Sequence, residues 1–251
     1  MKKQIYLLLL SLTVMFSSCF SFGGGTKTPP QPKYSPKFDY TPANRQAANS
    51  AGITVALLSP KYANNDNSYT VAPYSTFLNN MGDDFEEMLI AKGVRIKGPF
   101  VSRDEMVYSD KKNSDMALKV SIDLNPESGT LTYKQQMLIS KSQTPAWKML
   151  GNYYLQGKVI LEIVDPYNGE KFWKKSVSLP RQEVNILGEK YWYTKNVASI
   201  LARDNGVYNP IALALEKYYA NALQTAFRHL DVEELKQIKK EIAKAQKENR
   251  K

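Results

Sequence analysis

Residues 153–179, YYLQGKVILEIVDPYNGEKFWKKSVSL, decide the fold, because they predict a long antiparallel hairpin. The runs Tyr153–Val164 and Phe172–Leu179 are rich in β-branched and aromatic residues, which is typical of strands. The residues between them form turns easily: Pro166 fixes φ near the front of the turn, and Gly169 tolerates positive φ at its end. The sequence therefore predicts a sheet built around this hairpin.

Apolar patterns on both sides of the hairpin predict further elements. Short apolar or alternating runs predict strands at Ile53–Leu58, around Val94 and Ile96, at Met116–Leu124 and at Thr130–Ser140. Helical spacing and capping patterns predict helices over Tyr74–Lys92 before Gly93, over Ser102–Tyr108, from Asn209-Pro210 as the start of the longest helix, and after an Asp231/Glu234 capping box.

The order of these elements predicts an α+β fold: a single domain with a mixed, largely antiparallel sheet covered by helices, and a long C-terminal helix. Composition predicts the organisation along the chain: a lipoprotein signal peptide over 1–18, a lipidated cysteine and flexible Gly- and Pro-rich tether over 19–42, an α+β domain over 43–230, and a basic C-terminal helix over 231–251. The last helix has only a narrow apolar seam, so we expect it to be solvated and free to meet a partner.

The N-terminus resembles a lipoprotein export signal. Lys2 and Lys3 precede the apolar run Ile5–Phe16, which is too short to span a bilayer, and Cys19 follows two serines. This arrangement predicts cleavage before Cys19 and acylation of its thiol, palmitate included, so that the N-terminal lipid holds the protein at a membrane. The alternative is a secreted protein whose leader ends near a cysteine by chance. Phe20 is not the aspartate that retains lipoproteins at the inner membrane, so we expect the outer membrane, on either its periplasmic or its cell-surface face.

Composition and charge limit the class of partner. Hydrophobic residues make up 43% of the chain and charged residues 23%, as in ordinary soluble domains. The net charge falls from +10 to +8 when Lys2 and Lys3 leave with the signal peptide. Such a charge favours anionic partners, such as lipid headgroups, lipopolysaccharide phosphates or acidic glycans. Nucleic acid is not an expected partner, because the export signal carries the chain away from it.

The sequence predicts no enzymatic activity. It contains no GxSxG, HExxH, CxxC, Walker lysine loop or GxGxxG motif. His229 is the only histidine, and it lies in the last turn of a predicted helix, where its positive form would suit the helix dipole. With Cys19 as the only cysteine, we expect no metal and no cofactor.

Aromatic residues are the candidates for partner binding. Tyr191, Trp192 and Tyr193 lie in a loop-like stretch after Gly188, and Trp173 lies in the second strand of the hairpin. Aromatic rings beside lysines can stack on sugars or anchor a protein. The alternative is packing within the sheet, since Tyr and Trp fit a half-buried strand. Basic clusters are a second indication of binding, with solubility as the alternative: Lys111-Lys112, and Lys171, Lys174 and Lys175.

Several short stretches are collinear with one family over most of the mature chain: Tyr40–Ala43, Leu57–Pro60 with the Asn- and Asp-rich loop after it, the helix before Gly93, Ile163–Glu170, and Ala212–Arg250. These stretches resemble the neuraminyllactose-binding haemagglutinin lipoproteins of bacterial outer membranes. The resemblance implies a surface or outer-membrane lipoprotein with an adhesin-like role and no enzymatic activity. The sialic-acid motif of that family is rich in Lys and Arg, whereas the comparable stretch, Gly129–Gln136, has Lys134 as its one basic residue. No binding residue is therefore transferred from the family.

The sequence thus favours a lipid-anchored, non-catalytic envelope protein whose domain binds a glycan or an envelope protein. The alternative is an envelope-assembly or secretion subunit that forms a homo-oligomer. That alternative follows from the β-α-β-α-β opening, which is similar to the periplasmic domains of curli-type secretion lipoproteins and of lipoprotein activators of cell-wall synthases.

Overall fold

The computed structural model describes residues 31–137 and 145–248, so the predicted signal peptide, Cys19 and residues 138–140 at the end of the predicted strand Thr130–Ser140 lie outside the described residues. The described residues form eight strands and five helices. In chain order these are β1 (Thr54–Leu58), β2 (Lys61–Tyr62), α1 (Tyr74–Ala91), β3 (Arg95–Phe100), α2 (Tyr108–Lys112), β4 (Met116–Leu124), β5 (Glu127–Ser128), β6 (Thr132–Met137), β7 (Pro145–Val164), β8 (Lys171–Leu187), α3 (Val197–Leu201), α4 (Asn205–His229) and α5 (Val232–Glu248).

The strands form one mixed sheet. β1 lies between β3 and β4 and is parallel to both, and β4 pairs antiparallel with β7. β7 in turn pairs antiparallel with β8, β5 and β6, while β2 runs parallel to β4. The sheet is thus largely antiparallel, and the predicted α+β fold class is confirmed.

The hairpin of β7 and β8 is longer than predicted. Its pairs run from Val164–Lys171 beside the turn, which we call the turn end, to Leu150–Leu187, which we call the open end. The register shifts where Gln156 lies opposite both Pro180 and Arg181, and this irregularity lets β8 continue past the proline. Because strands rise about 3.3 Å per residue, the two ends lie up to about 45 Å apart along the hairpin.

Helices α1, α4 and α5 cover one face of the sheet. The core on that face includes many side chains with 1% exposure or less, among them Phe77, Phe85, Leu118, Ile122, Leu215 and Leu223. Helix α1 ends as predicted, because Gly93 adopts a φ of +71°, the left-handed conformation of a helix C-terminus. A smaller apolar cluster that includes Ala56, Met106 and Ala117 lies on the opposite face, which we call the outer face.

The predicted start of the longest helix is wrong. Helix α4 begins at Asn205, with Asp204 as its N-cap, and Pro210 lies inside the helix. Asn209 does not cap the helix: its side chain accepts from the N–H of Tyr34 at 2.7 Å and donates to the carbonyl of Pro32 at 2.9 Å.

The segment that contains Tyr34 was predicted to belong to a flexible tether, but residues 31–42 contact the domain. The hydroxyl of Tyr34 donates to Glu216 of α4. Phe38 is 4% exposed, and its ring centroid lies 5.4 Å from that of Phe77 and 5.2 Å from that of Tyr219. The apolar surface of Phe38 and Tyr34 thus outweighs the tendency of the flanking prolines to remain extended in solvent.

Helix α5 begins after its predicted cap, since the side chain of Asp231 accepts from the N–H of Glu234 at 3.0 Å. Its apolar seam, however, is buried against the domain and does not await a partner: Leu235, Ile238 and Ile242 are each at most 4% exposed. The short helix predicted over Ser102–Tyr108 is replaced by a 3₁₀ turn, Arg103–Glu105, followed by α2.

Candidate functional site

Residues 191–193, the strongest candidates from the sequence, lie at the open end and are tied to β7. Trp192 forms an isolated bridge with Trp147, in which each backbone N–H donates to the carbonyl of the other residue at 2.8 Å. Tyr193 is 61% exposed, and Tyr191 is half-buried. Because neighbouring residues of an extended chain point to opposite faces, Tyr191 and Tyr193 leave the backbone on the side opposite to Trp192.

Trp192 holds this segment in place. Its ring packs against the core, and its indole N–H donates to Asp204 at 3.0 Å. Asp204 itself is 1% exposed and caps α4. The indole of Trp192 is thus engaged inside the protein, whereas Tyr193 is available at the surface.

Lysines stand beside the aromatic rings of the open end. The ammonium of Lys195 lies 5.0 Å from the ring centroid of Trp147 and 5.5 Å from that of Tyr133. The ammonium of Lys148 lies 5.9 Å from the ring of Tyr191. These distances are within the range of cation–π attraction, so the open end presents aromatic and cationic groups together.

Trp173, the fourth aromatic candidate, belongs to another part of the molecule. It pairs with Ile163 near the turn end, and its indole N–H donates to Glu234 of α5 at 2.8 Å. Lys175 lies 2.5 Å from the same carboxylate and 5.2 Å from the Trp173 ring. Trp173 therefore fastens α5 to β8, and the structure does not bring it together with residues 191–193.

A second surface, which the sequence only partly indicates, lies on the outer face at the turn end. A cavity of about 400 Å³ opens there, between β2, β4, β7 and the turn of the hairpin. Its apolar lining includes Leu58 and Val164. The cationic side chains in the lining come from four separate parts of the chain: Lys61, Arg103, Lys119 and Lys171. We call this the cationic cavity.

Glu162 lies at the floor of the cationic cavity and is 7% exposed. Its carboxylate lies 2.5 Å from the ammonium of Lys171, 3.3 Å from that of Lys119 and 3.4 Å from that of Lys174. The strand register produces this arrangement, because Glu162 pairs with Lys119 on β4 and with Lys174 on β8. A single buried anion thus organises three cations.

The electrostatics of Glu162 follow from this geometry. Burial alone would raise the pKa of its carboxyl group, but hydrogen bonds and attraction from Lys171 and Lys119 outweigh burial and lower that pKa below its ordinary value. Glu162 is therefore ionised at neutral pH. The lysines exceed the single negative charge, so the cavity keeps a net positive charge that can attract an anion.

Arg103 completes the rim of the cavity. Its guanidinium donates to the carbonyl of Tyr167 at 3.4 Å and lies against Gly169. A Cβ at position 169 would lie 2.5 Å from the guanidinium nitrogen of Arg103, so only glycine there leaves the arginine in this position. Gly169, which the sequence predicts as a turn residue, therefore also shapes the cavity.

The groups that most resemble catalytic residues are the half-buried His229 and the buried Asp84. Burial, and then the charges of Lys175 and Arg228, lower the pKa of His229, so its neutral form is favoured, contrary to the expectation from the helix dipole. Burial raises the pKa of Asp84 to about 6, although the Tyr219 hydroxyl donates to it at 2.7 Å. Asp84 lies between α1 and α4 and is 7% exposed, so its raised pKa has a structural cause.

The described parts of the chain contain no group of three or more His, Cys, Asp or Glu residues placed to hold a metal ion. Over the same residues, none of the helices combines the length and apolar character needed to cross a membrane.

The fold is similar to that of solved bacterial proteins, although the sequences differ widely. A neuraminyllactose-binding hemagglutinin homologue from Helicobacter pylori matches 84% of this chain and 100% of its own, at 14% identity and a TM-score of 0.58. A lipoprotein from Neisseria meningitidis matches 51% of this chain and 80% of its own, at 15% identity and a TM-score of 0.28. A PelC dodecamer from Paraburkholderia phytofirmans matches 70% of this chain and 95% of its own, at 14% identity and a TM-score of 0.25.

The first of these likenesses confirms the resemblance seen in the sequence at the level of the fold; the other two are too distant to support an argument. No family model matches the chain, and no curated protein matches it.

Proposed function

We propose that the protein is a lipid-anchored, non-catalytic protein of the bacterial outer membrane, with an adhesin-like role, and that its cationic cavity binds an anionic partner. One observation carries the binding proposal: Lys119 and Lys171 line an open cavity with a net positive charge and converge, together with the neighbouring Lys174, on Glu162. The partner class that we propose is an acidic glycan, because the family resemblance implies an adhesin-like role. An envelope protein with an acidic surface is the other partner expected from the sequence.

The anchor is supported by the sequence around Cys19. Gln31 lies at the open end, where its N–H donates to Glu189 at 3.0 Å and its carbonyl accepts from Asn205 at 2.7 Å. The cationic cavity lies at the turn end, at the other end of the hairpin. A domain held from Gln31 can therefore present the cavity to a partner away from the membrane.

The alternative, an assembly subunit that forms a homo-oligomer, finds less support at the sheet edges. β3 and β8 each pair with one strand among the described residues, so each has a free edge. β3 contains Lys97 and Pro99, and β8 contains Pro180 and Arg181. Proline and charged side chains on an edge disfavour pairing with another sheet.

The anchor is tested by labelling cells with palmitate. We expect label in the mature protein, and none in a Cys19→Ser variant, which should leave the membrane fraction. An unlabelled wild-type chain, or a Cys19→Ser variant that is held equally tightly, would contradict the proposed anchor. Light scattering on residues 20–251 tests the alternative, since a stable ring or other large oligomer would favour an assembly subunit.

The partner is tested with an array of acidic and neutral glycans. We expect acidic glycans to be retained, and a Lys119→Gln/Lys171→Gln variant to lose most of that binding. Lys236→Gln/Lys244→Gln is the matched control, because it removes the same charge from α5, and we expect it to bind like wild type.

Glu162→Gln sharpens this test, because it removes the internal anion that competes for the lysines. We expect it to bind acidic glycans more tightly than wild type does. If the α5 control loses as much binding as the cavity variant, the net charge and not the cavity is responsible.

A further inference from the structure

Exposed apolar side chains gather where the described chain begins. Leu187 is 62% exposed, Tyr193 61%, Leu213 42% and Val197 37%. Leu187 and Tyr193 flank the segment that contains Glu189, whose carboxylate accepts from Gln31. Leu213 borders a groove that Gln31 itself lines. Half of the large apolar side chains that the structure exposes most thus lie at the open end or in the groove beside Gln31.

Cations lie beside aromatic rings at the same end of the domain. Lys148 and Lys195 lie beside the aromatic rings of the open end, and Lys190 lies 6.0 Å from the ring of Trp192. Tyrosine and tryptophan favour the boundary between water and lipid, because their rings are apolar while their polar atoms need water. Lysines beside such rings match the negative headgroups of that boundary. We call Leu187, Tyr193 and Val197 with Lys148 and Lys195 the open-end surface.

We infer that the open-end surface docks onto the anionic bilayer that carries the lipid anchor. This inference rests on the proposed acylation of Cys19. Twelve residue steps separate Cys19 from Gln31, and a chain of that length spans at most about 40 Å in any conformation. The open-end surface adjoins Gln31, whereas the cationic cavity lies up to about 45 Å further along the hairpin. The open end is therefore the part of the domain that the anchor keeps closest to lipid.

Because the anchor tethers the domain, a surface that binds the bilayer only weakly is sufficient to orient the domain. A short linker turns the second contact into an intramolecular one, with an effective concentration in the millimolar range. A few apolar side chains and lysines then fix the orientation of the domain, although they would hold an untethered protein only weakly. Docking at the open end directs the cationic cavity away from the bilayer.

The test uses the mature chain without acylation, residues 20–251, which keeps every core residue of the described domain and contains no cysteine. Co-sedimentation is measured with vesicles of phosphatidylethanolamine and phosphatidylglycerol, and with vesicles of phosphatidylcholine alone. We expect binding to the anionic vesicles that weakens with added salt, and little binding to the neutral ones. An open-end variant should reduce the partition coefficient at least about tenfold: Lys148→Gln, Tyr193→Ser, Lys195→Gln and Val197→Ser.

The matched control removes the same kinds of group from the turn end, where Val107 and Tyr108 are 60% and 69% exposed. This turn-end variant should bind the anionic vesicles like wild type: Val107→Ser, Tyr108→Ser, Lys111→Gln and Lys112→Gln. Equal losses in the two variants, or no binding of wild type to anionic vesicles, would overturn the inference.

A dye that reports polarity gives a second measurement, which does not depend on the stability of the multiple variants. It is attached to Tyr193→Cys or, as the control, to Tyr108→Cys in residues 20–251. We expect the emission to shift to the blue on anionic vesicles when the dye is at position 193 only. A shift at position 108 alone would mean that the turn end contacts the bilayer, which would overturn the inference. Both measurements use protein without the acyl group, so their outcome is independent of the palmitate labelling that tests the anchor.

Discussion

Trp192 donates its indole N–H to the carboxylate of Asp204 at 3.0 Å, and Asp204 is 1% exposed. The same carboxylate accepts from the backbone N–H groups of Glu189 at 2.9 Å, Lys190 at 3.1 Å and Gly206 at 3.1 Å. One side chain therefore joins the segment after β8 to the start of α4. The shape of the open end depends on this junction.

Replacing Asp204 with Ala should lower the free energy of unfolding by about 3–5 kcal/mol, because four donors lose their acceptor in a buried site. Chemical denaturation measures the change. Asp231→Ala is the matched control: Asp231 caps α5 at the surface through the N–H of Glu234, so its loss should cost about 1 kcal/mol. Equal costs for the two variants would show that the junction contributes no more than an ordinary cap.

Tyr218 secures the helical layer to the irregular part of the hairpin. Its hydroxyl lies against the carbonyls of Leu155 and Pro180, the latter at 2.7 Å. Tyr218→Phe should therefore lower the free energy of unfolding by about 1–3 kcal/mol, because buried carbonyls lose their donor. Tyr193→Phe, at a position that is 61% exposed, should change it by less than about 0.5 kcal/mol in the same denaturation experiment. A Tyr218→Phe protein as stable as wild type would mean that water replaces the hydroxyl.

Local signals were sufficient to predict much of the sheet and α1. The turn over 165–170, the alternation of Met116–Leu124 and the glycine after α1 each act within a few residues, and the structure confirms them.

The predicted start of α4 was wrong for a physical reason. Asn209-Pro210 matches a helix start by itself, but Asn209 bonds to Tyr34, 175 residues earlier in the chain, and Asp204 supplies the cap.

The cationic cavity could not be predicted from local patterns. Lys171 and Lys174 are close in sequence and form a basic cluster there. Lys119 and Glu162 join them only through the register between β4, β7 and β8, which long-range pairing determines. Trp173 was a candidate for partner binding, with packing within the sheet as the alternative, and its indole N–H donates to Glu234.

Phe38 tests whether the segment before the first strand is part of the domain. Its side chain is 4% exposed and packs against Phe77 and Tyr219, so Phe38→Ala should lower the free energy of unfolding by about 3 kcal/mol or more. Lys37→Ala, at the exposed neighbouring position, should have little effect. Thermal unfolding of the two variants measures the difference. If Phe38→Ala melts like wild type, the segment contributes no packing energy.

The pH dependence of stability should show the buried carboxyl group of Asp84. Burial raises its pKa in the folded protein to about 6, against the hydrogen bond from Tyr219, and the negative charges of Asp39 and Glu87 raise it further. In the unfolded chain the pKa of an aspartate is about 3.9. The folded state therefore takes up the proton first as the pH falls. The penalty for holding Asp84 ionised is complete above about pH 6 and disappears below about pH 4.

Asp84→Asn removes this penalty at every pH, since the amide carries no charge. Relative to wild type, the variant should be more stable at pH 7 than at pH 4, by a difference of up to about 3 kcal/mol, because each pKa unit corresponds to about 1.4 kcal/mol. Denaturation at the two pH values measures it, with Asp83→Asn at the exposed neighbouring position as the control for loss of a charge. The comparison between variants cancels the other carboxyl groups, Glu162 included, whose lowered pKa acts in the opposite direction. A stability difference that is the same at pH 7 and pH 4 would mean that Asp84 is already solvated in the folded protein.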